Sequence, residues 1–130
     1  MGLQERQKIK ELTEVTLPER EREIVEICGA AVKYEVDWTS LADDLEGLRF
    51  IDNISCHRLN MALRTIALQD LGKEALQDGL KLVKLKNVKT PAEMKMDFAG
   101  GVLEMHCVYA LGAGGMHNDM EIYRLLLKGL

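Results

Sequence analysis

The chain has 130 residues, of which 47% are hydrophobic and 29% charged, with a formal net charge of −4 and an isoelectric point of about 5.4. Those values fit one folded domain and exclude a disordered or fibrous chain. No apolar run approaches the ~20 residues that span a bilayer, so no membrane role is expected, and the acidic balance argues against general binding to phosphate backbones.

Residues 3–15 are polar, with sparse apolar positions at Leu3, Ile9, Leu12 and Val15. They predict an N-terminal helical extension (1–15), lying on the surface or against a partner, ahead of a single α+β domain (16–130). Thr16, Pro18 and Glu19 read as a capping box with proline in the first turn, opening a helix that buries Ile24, Ile27 and Cys28 and stops at Gly29. Residues 31–38 alternate: Val32, Tyr34, Val36 and Trp38 point one way, Lys33, Glu35 and Asp37 the other, which predicts a strand with one buried face. Thr39 or Ser40 then caps a short helix carrying Leu41, Leu45 and Leu48, weakened at its end by Gly47. Asp52 or Ser55 caps the longest helix, with Leu59, Ala62, Leu63 and Ile66 inward, running to about residue 71 and ended by Gly72. A further helical turn or two over residues 73–79 presents Ala75 and Leu76.

Strands follow in quick order. Residues 81–88 set Val83 and Leu85 against Lys84 and Lys86, and residues 93–98 set Met94, Met96 and Phe98 against Glu93, Lys95 and Asp97. Ala99-Gly100-Gly101 is a hairpin turn, and residues 102–109 return with Leu103, Met105, Cys107 and Tyr109 inward. A Gly-rich loop (Gly112, Gly114, Gly115) leads to a last helix capped by Asn118 or Asp119, whose stripe is Met120, Tyr123, Leu127 and Leu130, widened by Ile122 and Leu126. The order α-α-β-α-α-β-β-β-α predicts an α+β fold: a mostly antiparallel four-stranded sheet with helices packed on one face. The stretch from residue 69 onward, α-β-β-β-α with a Gly-containing loop before its last helix, resembles the double-stranded RNA-binding domain. In that family the last helix opens with lysines that meet phosphates. Here it opens Met116-His117-Asn118-Asp119-Met120-Glu121, so no nucleic-acid partner is expected.

Several residues carry chemistry by type. The glycines before the last helix can present N–H groups to an anion, but His117 stands where a dinucleotide fingerprint needs its third glycine. Two Cys/His pairs, Cys56-His57 and His106-Cys107, have zinc-ligand types. Neighbours in a strand point to opposite faces and neighbours on a helix diverge, so only one ligand of each pair, with His117, can meet: Cys56, His106 and His117. Cys56 at a helix start can also act as a nucleophile, with His57 or His106 as base, Asp52 as orienter and Tyr109 lining a pocket between sheet and long helix. Asp43-Asp44 and Asp97 with Glu104 read as solvated charges. Three cysteines without a C-x-x-C spacing read as buried free thiols of a reducing cytoplasm. No cofactor or metal is expected. The expected function is a non-enzymatic protein-interaction module that self-associates, as a dimer. The alternative is a small enzyme, or a ligand or metal binder, using the Cys/His pocket.

Overall fold

The structure, a computed structural model, describes residues 2–130. Two long helical runs, each with a π-helical turn inside, pack with two shorter helices against a four-stranded sheet. The first run joins α1 (Leu3–Glu11), a π turn (Leu12–Thr16) and α2 (Leu17–Cys28) without a break. The capping box expected at Thr16 does not form: Thr16 is helical (φ −68°, ψ −53°) and its side chain caps nothing. Pro18 explains the π turn. Proline has no N–H to give and crowds the carbonyl four residues back, and the helix widens just before it, with Leu17 N–H reaching Leu12 O. Leu12 and Ile24 are fully buried, Ile9 packs on the core, and α1 lies against α3. Gly29, at φ 76°, ends the run as expected.

Strand β1 (Lys33–Val36) is shorter than its alternating pattern, because Asp37 starts a 3-10 turn over Trp38–Leu41. The Asp37 carboxylate accepts the Ser40 N–H (3.1 Å), so Asp37, rather than Thr39 or Ser40, is the cap. Helix α3 (Leu45–Phe50) is capped by Asp44, which accepts from Gly47 N–H at 2.8 Å. It runs through a π turn (Ile51–Cys56) into α4 (His57–Ile66). The boundary expected at Asp52–Ser55 is therefore helix interior. The polar run looks like a cap, but Asp52 is held from outside by Arg20 on α2 (Nε to Oδ1, 2.6 Å), and the turn stays helical. The long helix ends at Ile66, and Gly72 lies inside α5 (Asp70–Gly79). A Cβ on Gly72 would collide with the Ile66 carbonyl, so the glycine permits the tight α4–α5 corner.

The sheet comprises β1, β2 (Leu82–Asn87), β3 (Lys95–Ala99) and β4 (Val102–Cys107), in the order β1-β2-β4-β3. It is mixed and mostly parallel, which corrects the mostly antiparallel expectation. The β3–β4 hairpin is antiparallel, turning on Gly100 and Gly101 at φ 59° and 81°. But residues 88–94, with a 3-10 turn at Pro91–Glu93, carry β3 one strand-width out. Strand β4 fills the gap and pairs with β2 in parallel. Strand β1 also pairs with β2 in parallel, across the α3–α5 crossover. The likeness to the double-stranded RNA-binding domain thus ends at element order, since β2, β3 and β4 do not form a simple antiparallel meander.

The helix-facing side of the sheet carries Val36, Val83, Leu85, Leu103, Met105 and Cys107, all buried in one core with Leu59, Leu63, Ile122 and Leu126. Helix α6 (Asp119–Gly129) has a capping box between Asn118 and Glu121. It turns Ile122 and Leu126 inward, against α4 and β3, and leaves Met120, Leu127 and Leu130 43%, 49% and 37% exposed. The expected main stripe is therefore largely the outer one. Both stripes have helical spacing, and packing rather than pattern selects between them.

Candidate functional site

Polar side chains concentrate in two places. The first is the sheet face turned away from the helices. Strand register sorts it into rows. Lys33, Leu82, Val102 and Ala99 lie side by side, then Glu35, Lys84, Glu104 and Asp97, then Lys86, His106 and Lys95. A mainly apolar row thus borders a mainly acidic one, which borders a basic one. A shallow groove of about 320 Å³ crosses it, walled by Glu35, Asp37, Lys84, Lys86, Glu104 and His106. His106 Nε2 lies 2.8 Å from Glu104 Oε2, which orients the ring along the strand.

The second place is a polar cluster between α2, the π turn of residues 51–56 and the edge of the core. Arg20 binds Asp52 twice, through Nε to Oδ1 (2.6 Å) and Nη2 to the backbone O (3.3 Å), and Glu23 once through Nη1 (3.0 Å). Burial works against the charged guanidinium, but Asp52 and Glu23 outweigh it and Arg20 is held above its ordinary pKa. Asn60, fully buried, donates to Glu23 Oε1 at 3.2 Å. Beneath them sit Cys56 and the rings of Tyr34 and Tyr109. Burial pushes Cys56 up to about 12 and Cys107 up to about 11, and raises both tyrosines well above their ordinary value. Oδ1 of Asn60 is buried without a hydrogen-bond partner among the described residues, and the buried hydroxyls of Tyr34 and Tyr109 have only the Cys56 thiol, and Ser55 and the Cys107 thiol, close by, with no well-formed hydrogen bond.

The residues singled out from sequence are distributed between these places. Cys56 and Tyr109 come together in the cluster, between the sheet and the long helical run. His57 is exposed beside Cys56 in sequence, and His106 lies on the opposite face of the sheet. Cys56 is inside a continuous helix rather than at an N-terminus, so no helix dipole activates it, and a thiol at about 12 stays protonated at neutral pH. His117 stands at the end of the β3–β4 ladder, its Nε2 at 3.0 Å from Lys95 O and 3.3 Å from His106 O. Cys56, His106 and His117 therefore occupy three separate environments. Among the described residues no group of three or more His, Cys, Asp or Glu side chains is placed to hold a metal.

The Gly-rich loop is a 3-10 segment (Tyr109–Gly115) broken at Gly112. Arg58 Nη1 donates to its neighbourhood through Ala113 O, Met116 O and His117 O at 3.2–3.3 Å. The loop thus turns carbonyls toward a cation on α4. Asp97 and Glu104 face each other across the hairpin, as their spacing suggests. Sequence reasoning passed over Arg20 and Asn60. Nothing local announces a pair as distant as Arg20 and Asp52. Asn60, set between the inward Leu59 and Ala62, is a polar residue inside an apolar stripe, and that was a legible signal. No helix of the described residues is long and apolar enough to cross a membrane. No protein-family model, curated protein or solved structure matches this chain.

Proposed function

We propose that this chain is a non-enzymatic protein-interaction module that self-associates, and that its working surface is the sheet side left uncovered by helices. The observation that carries this reading is the order of charge on that face. Acidic and basic rows run side by side, so a two-fold related copy can set each against its opposite. Such complementarity favours register and partner choice more than raw affinity. Sedimentation equilibrium of the full chain tests it. A dimer at micromolar concentration that dissociates as salt rises is the expected result. A monomer at every concentration and salt contradicts it.

A second reading, a binder of a small polar ligand, is favoured by one observation: the buried hydroxyls of Tyr34 and Tyr109 lie near Cys56 without a well-formed hydrogen bond among the described residues. Buried polar groups in folded proteins nearly always find partners. Under this reading a ligand protects Cys56 from a thiol reagent. Labelling of Cys56 at one unchanged rate across a library of small polar compounds removes it.

A further inference from the structure

The two edges of the sheet are finished differently, and the difference points to where a second copy docks. At the β1 edge the backbone N–H groups of Lys33 and Asp37 turn inward, to Lys81 O and Leu85 O. The backbone groups of Tyr34 and Val36 therefore face out, and the Tyr34 N–H is taken by Glu21 Oε2 at 2.8 Å, with Lys33 Nζ 3.6 Å from the same carboxylate. Helix α2 thus covers the start of that edge, at Tyr34, with a charged side chain, a common way of blocking strand addition.

Strand β3 forms the other edge. Gly101 O accepts from Leu82 N–H and Cys107 O from Val88 N–H, so the odd-numbered backbone groups of β4 face β2. The even-numbered groups, at Val102, Glu104 and His106, face β3 and bond to their register partners Ala99, Asp97 and Lys95. Met96 and Phe98 therefore turn their N–H and C=O out of the sheet. Among the described residues no side chain meets them. The side chains on this strand are also mismatched within the chain. Asp97 stands directly across from Glu104, a like charge, and Lys95 across from the imidazole of His106, which offers it no opposite charge. Neither Lys95 nor Asp97 has an ion-pair partner among the described residues. Like charges directly opposite are unfavourable in a sheet.

We propose that β3 pairs antiparallel with β3 of a second copy about a two-fold axis at Met96, joining two sheets into one. The inference rests on the self-association reading above and places the contact at the edge of the uncovered face, where the acidic row of one copy runs on into the basic row of the other. Centred there, the outward backbone of Met96 bonds its counterpart, and Phe98 meets the partner's Met94. Lys95 of each copy lies opposite Asp97 of the other. Those two are non-hydrogen-bonded pairs, in which opposed side chains come closest. Each β3 charge thereby gains the opposite neighbour that its own chain lacks. A residue that contacts another, and is contacted by it in return, is the signature of a two-fold interface.

The test uses the full chain and two exposed substitutions, Lys95→Asp and Asp97→Lys. The first variant sets acid against acid across the axis, the second lysine against lysine. Each alone should sediment as the 14.6 kDa monomer. An equimolar mixture should form a heterodimer, because every cross-axis pair is then of opposite sign. Unchanged circular dichroism, and melting equal to that of the unmodified chain diluted to monomer, keep folding out of the comparison. If the unmodified chain and both variants are all dimers, pairing through β3 is overturned and self-association stands. Monomeric variants whose mixture stays monomeric overturn the register. An unmodified chain that never dimerises removes self-association and this geometry together.

Discussion

The β1 and β3 edges pose one physical problem and receive two answers. At β1 the outward Tyr34 N–H is satisfied within the chain, by Glu21 from α2. At β3 the outward groups of Met96 and Phe98 and the charges of Lys95 and Asp97 have no such cover among the described residues. An edge that a protein leaves open invites another strand. Covering depends on where helices pass: α2 runs beside β1, whereas α6 packs beneath β3 on the core side.

Substitutions separate what holds the sheet together from what finishes its edges. The largest effect belongs to neither edge but to the sheet centre. Leu85, 1% exposed between two strands, should cost roughly 2–5 kcal/mol as Leu85→Ala in urea unfolding. Next comes the anchor of α2, the helix that covers β1. Asp52→Ala leaves the Arg20 guanidinium, with 17% of its side chain exposed, without its closest carboxylate. A loss of roughly 1–2 kcal/mol is expected, the lower part of the range for bonds to charged groups because Asp52 itself is partly exposed. Faster amide exchange at Tyr34 should accompany it. Glu21→Ala strips the cover directly. It should cost about 1 kcal/mol or less and accelerate exchange at Tyr34 with the core unaffected. The last effect is absent at neutral pH and appears only in alkali. Cys56 rises from 9.0 to about 12 and Cys107 from 9.0 to about 11 because burial disfavours the thiolate. Their contribution is complete below pH 9 and is lost as pH climbs through the folded values, since the unfolded thiols ionise first. The melting temperature should therefore fall from pH 9 upward, less steeply in Cys56→Ala.

Much of this arrangement is legible in the chain, and the exceptions share a cause. Alternation identifies the buried faces at Val83 and Leu85 and at Leu103 and Met105, because a strand period of two needs no knowledge of neighbours. It carries no information on which strand lies beside which. The slot between β2 and β3 that β4 fills was therefore invisible, and with it the parallel pairings. Caps mislead for a similar reason. Thr16 and Asp52 have the right chemistry for helix starts, but a proline bypass at residue 18 and a distant arginine at residue 20 keep both inside helices. Of the site, the charged alternation of the outer face could be read directly. The cluster around Cys56 could not, because Arg20, Tyr34, Asn60 and Tyr109 come from separate segments that only the fold brings together.

Amide hydrogen exchange along β3, followed from nanomolar to high micromolar protein, tests the difference between the edges most directly. The amides of Lys95, Asp97 and Ala99 should be slow throughout, and that of Tyr34 likewise. Those of Met96 and Phe98 should exchange fast in dilute protein and slow as a second copy binds. Fast exchange at Met96 and Phe98 at every concentration would contradict the account, and so would slow exchange at the lowest.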